Sequence, residues 1–444
     1  MPSREPHPNE PDLLQNLRRE LADGRTWLDR AIVLAYAAAA GLAVVGFTLL
    51  AERAFAFFQA WHDFNRWSLL VWTPLCTAGI VWLTRRFAPG AAGSGIPQVI
   101  AALDPDMPPQ SRPRFVSLRI SLAKIVLSSA GLLAGLSVGR EGPSVQVAAG
   151  IMEHARRWLG DRVPVHALLV AGGAAGIAAA FNAPLAGIVF AIEELSRKLE
   201  SRSSGLIIAA IVLAGLMAVS AFGNLSYFGV IHVPHLSLDA LAPGVLATLV
   251  AGLAGGLFAK LLAMSLTGGG GRLGALRALF PIRFAAGCGL VVAVLGLLSG
   301  GSSFGAGSDA VKEMLAGQSD VPPLFVPLKF IATWLTAWSG VPGGIFAPSL
   351  SIGAGIGHDV AQIAGSSDLA PALIALGMAA FLAAVTQAPL TSFIIVMEMV
   401  DGHAMVLSLM AAAMFASLIS RLMTRPLYET LADFMVAGQR PPAG

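Results

Sequence analysis

Three short stretches of this 444-residue chain pair glycine with proline around residues that can bind or carry charge. They are Gly93-Ser94-Gly95-Ile96-Pro97, Gly139-Arg140-Glu141-Gly142-Pro143 and Gly344-Ile345-Phe346-Ala347-Pro348. Proline is favoured in the first turn of a helix, where its missing N–H costs nothing. Each stretch therefore reads as a glycine-rich loop opening onto a helix N-terminus. Such an end offers free N–H groups and about half a positive charge. Several that converge bind an anion without a full positive charge that would hold it too tightly. Ser94 adds a hydroxyl donor. Glu141 adds a carboxylate that competes with an anion for the same N–H groups. Protonation would neutralise it and let it swing away. The rival reading, a helix-capping glutamate favoured by the dipole, leaves the flanking glycines unexplained.

The elements that position these loops must be membrane helices. Hydrophobic residues make up 55% of the chain and charged residues 12%, about half the charge of a soluble domain. Mean hydropathy is +0.72. The fold class expected is an all-α polytopic membrane protein. A secreted disulfide scaffold, a disordered chain and a nucleic-acid binder are excluded. Cys76 and Cys288 lie in apolar stretches and read as small core residues. The net charge of +3 comes from scattered arginines with no basic stripe. Apolar runs fall at roughly 31–59, 68–84, 115–138, 164–192, 205–222, 237–265, 282–299, 323–338, 369–400 and 403–420. Several are too long or too short for one span of about 20 residues, which predicts tilted helices and half-helices. The glycine count of 49 and proline count of 27 also predict broken helices, which in transporters mark substrate sites.

The two halves match at a constant offset. Gly139, Pro143, Ser144 and Gly150 recur as Gly344, Pro348, Ser349 and Gly355. Ala183-Pro184-Leu185 recurs as Ala388-Pro389-Leu390, Glu193 as Glu398 and Lys124 as Lys329. Gly and Ala matches are cheap in this composition; gap-free Pro, Lys and Glu matches are not. A two-repeat membrane protein places its site at the repeat interface. The residues alone leave open whether the repeats are parallel or inverted. The expected organisation is a polar cytoplasmic segment 1–30, repeat 1 over 31–222, repeat 2 over 223–435 and a tail 436–444, with no regulatory C-terminal domain. Arg18, Arg19, Arg25 and Arg30 fit the positive-inside rule.

The three loops, in this order, resemble the signature loops of the CLC chloride channel and transporter family, and Pro426-Leu427-Tyr428 near the C-terminus matches a fourth motif. The resemblance covers roughly 30–435. It implies two inverted repeats of broken helices and a homodimer with a separate pore in each subunit. It implies a central anion held by the hydroxyls of Ser94 and Tyr428 and the backbone N–H groups of Ile345 and Phe346. Tyr428 taken alone reads as an interface anchor. By the same resemblance Glu141 is the external gating glutamate and Glu194 the internal proton-transfer glutamate. Glu193 and Glu194 otherwise read as a helix end emerging into water, and the recurrence of Glu193 favours a structural role for it. Passive channels of the family generally lack a glutamate at the Glu194 position, so its presence favours coupled H⁺/Cl⁻ exchange.

Two cations keep two readings each. Arg140 either draws anions to the entrance or pairs with a carboxylate. Lys124 either attracts anions or neutralises buried carboxylates, and its recurrence favours structure. Passive chloride conduction on the same scaffold is the main alternative. Fluoride export is disfavoured because that branch usually departs from the serine retained as Ser94. An intramembrane enzyme lacks its motifs: no His-Glu-x-x-His pair, Gly-x-Ser-x-Gly elbow or Walker loop is present. The expected partners are chloride, protons and membrane lipid, with no cofactor, metal or nucleic acid, and the expected location is a bacterial inner membrane.

Overall fold

The computed structural model describes residues 24–196, 204–223, 228, 240–269, 271–317, 322–365 and 367–439. The leader up to residue 23, the Arg197 to Arg202 linker and the last residues of the 436–444 tail lie outside them. Among the described residues all regular structure is helical. The first half holds α1 (Gly24–Phe64), α2 (Leu69–Phe87), α3 (Ile96–Leu103), α4 (Leu118–Leu133), α5 (Glu141–His154), α6 (Val165–Phe181), α7 (Pro184–Phe190) and α8 (Ser204–Phe222). The second holds α9 (Leu241–Leu266), α10 (Gly271–Leu279), α11 (Pro281–Leu298), α12 (Ser308–Leu315), α13 (Phe325–Ser339), α14 (Phe346–Ile363), α15 (Ala370–Thr386), α16 (Pro389–Met399) and α17 (Val406–Met423). A final helix, α18 (Leu427–Ala437), carries Tyr428. Seven helical stretches among the described residues are long and apolar enough to cross a membrane. The protein is an integral, multi-pass membrane protein.

Helix α1 begins at Gly24, inside the segment expected to be polar leader. No proline or glycine interrupts Arg25 to Arg30, and Asp29 in this turn is gripped by Arg162 through bonds of 2.7 and 2.9 Å. At 41 residues and about 1.5 Å per residue, α1 far exceeds the ~30 Å hydrocarbon thickness. The long runs 164–192 and 369–400 are each two helices. α6 ends on Asn182 at φ 55° and α15 on Gln387 at φ 60°. Pro184 and Pro389 then open α7 and α16. Proline disfavours helical geometry in the residue before it, so the same break occurs once per repeat.

α6 and α15 have 17 residues each and are buried by other helices. Their small residues allow close approach. A side chain at Gly172 would come within 2.7 Å of the Ala149 Cα, and one at the equivalent Gly377 would collide with the Gly353 carbonyl.

Two features relate the halves by a pseudo-two-fold axis. Gly139 and Gly344 exchange both backbone hydrogen bonds, N to O and O to N, at 2.8 Å as an antiparallel bridge. An antiparallel meeting of equivalent segments fits the inverted repeats of the fold class. Further along, Glu193 accepts from the Leu390 and Thr391 N–H groups at 3.0 and 2.6 Å. Glu398 accepts from Leu185 and Ala186 at 3.2 and 2.7 Å. Each repeat's glutamate thus caps the first turn of the other repeat's proline-initiated helix, where orphan N–H groups and the dipole favour a carboxylate. Glu193→Ala and Glu398→Ala should each cost about 1–2 kcal/mol and lower the thermal midpoint in detergent by similar amounts. A drop for only one of them would show that the caps are not equivalent.

Candidate functional site

The three glycine loops meet at the centre of the molecule. Gly343 N–H donates to the Gly93 carbonyl at 3.0 Å, and Gly139 and Gly344 form the bridge above. The chain can come this close only because side chains are missing. A Cβ at Gly142 would lie 2.5 Å from Ser94 Oγ, and one at Gly344 would lie 2.9 Å from Pro143 Cδ. Gly95, at φ 108°, occupies backbone space that L-residues avoid. Helices α3, α5 and α14 all start here, at Ile96, Glu141 and Phe346, as the glycine–proline pattern predicts. Three helix N-termini therefore point their free N–H groups into one region.

Ser94 Oγ and Tyr428 Oη are buried and have no hydrogen-bond partner in the protein. They lie close enough to each other to interact. Tyr428 is 1% exposed, so it is no interface anchor: α18 turns it inward. Its ring packs on Phe346 at 6.0 Å, and Phe346 stacks on Phe181 at 6.3 Å. Buried hydroxyls are almost always bonded. Two orphans converging beside helix N-termini form a neutral donor set suited to an anion. Ile345 and Phe346 contribute buried backbone at the same place.

Glu141 stands on one side of this pair, 2% exposed. The backbone N–H groups of Glu141, Ala347 and Arg140 act electrostatically on its carboxylate. Ala347 belongs to the first turn of α14, so the carboxylate of one repeat lies against the helix N-terminus of the other. Its Oε2 has no bonded partner. Glu194 lies in a wide π-type turn over Ala191–Leu195 that continues α7. It is partly exposed and, like Glu141, acts electrostatically on the Tyr428 hydroxyl.

The two cations resolve differently. Arg140 pairs with Glu52 of α1 at 3.0 Å while also acting on Glu141. Lys124 is fully buried and forms no ion pair among the described residues: its Nζ donates to the carbonyls of Ala91 and Gly93. It fastens the loop that presents Ser94. Gln98 braces that loop from within, accepting from Gly95 N–H at 2.9 Å and donating to the Ala92 carbonyl. Lys329 does the equivalent in the second repeat, donating to Ser303, Phe304 and Gly305 carbonyls at 3.1, 3.2 and 2.8 Å. The counterpart of Gly93-Ser94-Gly95 is thus Gly305-Ala306-Gly307, with alanine in place of serine. A gap-free comparison misses it, because a longer spacing separates this loop from its match. Glu52 and Gln98 also escaped sequence reasoning. The signal for Gln98 is a polar residue isolated in an apolar helix, and for Glu52 the charged Glu52-Arg53 pair inside the apolar run 31–59.

Two cavities reach the centre. One of about 350 Å³ is lined by Glu52, Arg140, Glu141, Asp309 and Lys312 among others. The other, about 180 Å³, reaches Ser94, Ile345 and Tyr428. Neutral donors at the centre, with Glu141 lining one cavity and the Ser94 and Tyr428 residues lining the other, form an arrangement that suits an anion.

Solved structures share this architecture. A slow cyanobacterial Cl⁻/H⁺ antiporter aligns with a TM-score of 0.79 and 24% identity, over 93% of this chain and 98% of that one. A CLC-type fluoride/proton antiporter aligns at 0.74 and 21%, over 92% and 98%. A eukaryotic CLC transporter aligns at 0.72 and 20%, over 92% of this chain and 74% of that one. At these identities the likeness is one of fold. The family profile described as voltage gated chloride channel matches residues 75–421, most of the chain and all three glycine loops, and the chain therefore belongs to the CLC family.

Proposed function

We propose that this protein moves chloride across a membrane by exchange for protons. The observation that carries the reading is the pair of partnerless buried hydroxyls, Ser94 and Tyr428, within electrostatic reach of two carboxylates, Glu141 and Glu194. Chloride sits between the hydroxyls and the N–H groups of Ile345 and Phe346. These neutral donors replace its hydration shell and still release it. Glu141, when charged, occupies donors that an anion would use; protonated, it has no claim on them and the site opens. Glu194 passes the proton between the site and the opposite solution. Arg140 and Lys124 act indirectly, through the Glu52 pair and the Ser94 loop. The protein works as a homodimer with one pathway per subunit, in a bacterial inner membrane.

The deciding experiment reconstitutes the purified protein in liposomes, imposes a chloride gradient with no pH gradient, and records internal pH. Protons driven against their own equilibrium establish exchange. Chloride flux without proton movement establishes passive conduction on the same scaffold. Fluoride flux alone would show that Ser94 does not select as argued. The site itself is tested by calorimetry. Ser94→Ala and Tyr428→Phe each remove one hydroxyl and little volume, so each should weaken chloride binding roughly tenfold. Unchanged affinities would remove both hydroxyls from the site.

A further inference from the structure

Arg140 directly precedes Glu141, and its guanidinium acts electrostatically on that carboxylate. Its ion pair, however, is with a different acid. Arg140 Nη1 meets Glu52 Oε1 at 3.0 Å, and Glu52 comes from α1, 88 residues earlier in the chain. The two ends of the pair differ in their surroundings. The Arg140 side chain is 10% exposed and that of Glu52 is 54% exposed. The cation therefore sits where its charge is poorly screened, and the acid reaches it from the cavity that both line. A cation favours the charged form of a neighbouring carboxylate. A cation whose charge is offset by a second acid does so less strongly.

The other charges around Glu141 come from several elements. Across the cavity α12 supplies one acid and one base, Asp309 and Lys312, and Gln59 of α1 donates to Asp309 Oδ2 at 3.3 Å. Arg53 follows Glu52 on α1 and is exposed. The next ionisable residues of α5 are Glu153 and His154, at its far end. α4 lines the cavity with Leu132. The first turn of α14, Phe346-Ala347-Pro348-Ser349, has no ionisable side chain. Tyr428 of α18 lies within electrostatic reach of Glu141. Acid and base on α12 oppose each other, which leaves the Glu52–Arg140 pair to set the balance. We propose that Glu52 is a positioning residue for the gate: by holding the Arg140 guanidinium and offsetting its charge, it sets the pH at which Glu141 gives up the anion donors. Without the Glu52 charge, a buried cation bears on Glu141 undiminished, and the gate stays ionised and closed to lower pH. This rests on the exchange reading above, in which Glu141 competes with chloride.

The test is chloride efflux from liposomes at equal pH on both sides, with the pH varied and the midpoint of acid activation read. Glu52→Gln keeps the length of the side chain and an acceptor oxygen for Arg140, and removes the charge. Its midpoint should fall by about half a pH unit, a roughly threefold higher proton concentration. Arg140→Gln removes the cation itself, so its midpoint should rise by about as much. Glu52→Asp keeps the charge and should stay within roughly 0.2 pH units of wild type. In the wild type itself, a salt of impermeant ions should lower the midpoint as Glu52→Gln does, because screening reaches the half-exposed acid before the buried cation. That arm depends on no variant folding. A Glu52→Gln midpoint equal to wild type overturns the assignment, as does a wild-type midpoint that ignores salt. So does a shift of Glu52→Gln and Arg140→Gln in the same direction, since a pair that only fastens α1 to the loop would disturb the gate alike from either end. A wild-type efflux that does not change with pH overturns the reading of Glu141 as the gate, a different failure from any of these.

Discussion

Glu141→Gln should abolish proton movement while chloride still crosses. Glutamine keeps the volume of the side chain and removes its ability to ionise. The wild-type carboxylate is buried against the first turn of α14, where the Ala347 N–H acts on it, and its Oε2 lacks a bonded partner. In charged form it rivals an anion for the same dipole. Protonation ends that rivalry, so wild-type chloride flux should rise as pH falls. The glutamine variant copies the protonated state at every pH, and its flux should be flat across the same range. Measured in liposomes by internal pH and chloride efflux together, proton flux should fall below detection. Chloride flux should stay within roughly tenfold of wild type, since the Ser94 and Tyr428 donors are intact and a change of about 1.4 kcal/mol in barrier is tenfold in rate. Proton coupling that survives the substitution removes Glu141 from the mechanism.

Glu194→Gln should produce the same separation by a different route. Glu194 follows α7 and opens none of the three glycine-rich helix N-termini. It lies in the turn after α7, partly open to solvent, within electrostatic reach of Tyr428. Removing its charge deprives the pathway of a proton carrier on that side and leaves the donor set alone. Proton transport should be lost, chloride binding should change less than about threefold, and the pH dependence conferred by Glu141 should persist. Retained pH dependence is what distinguishes the two variants. Unaltered exchange would return Glu194 to the role its neighbour has. Glu193, one residue earlier, is spent on capping α16, and a substitution there should cost stability, with coupling preserved.

Much of this protein is legible in one dimension. The low charge and long apolar runs require membrane helices, because in lipid only helices and closed barrels satisfy the backbone and barrel strands are short and alternate. Glycine followed by proline announces the starts of α3, α5 and α14, since those residues act through local φ restrictions that need no partner. The constant offset reveals the repeat and marks Glu193 with Glu398 and Lys124 with Lys329 as pairs. What the pairs do is not legible. Only the folded chain shows that each glutamate caps the opposite repeat, that each lysine grips loop carbonyls, or that Arg140 leans on Glu52. The same holds for Tyr428, whose place in the core depends on α18 turning back beneath loops some 85 to 335 residues earlier in the sequence. Local geometry is written in residue type and spacing. Partnership between charges is decided by burial and by which distant backbone arrives next to them, and that exists only once the two halves have closed around their axis.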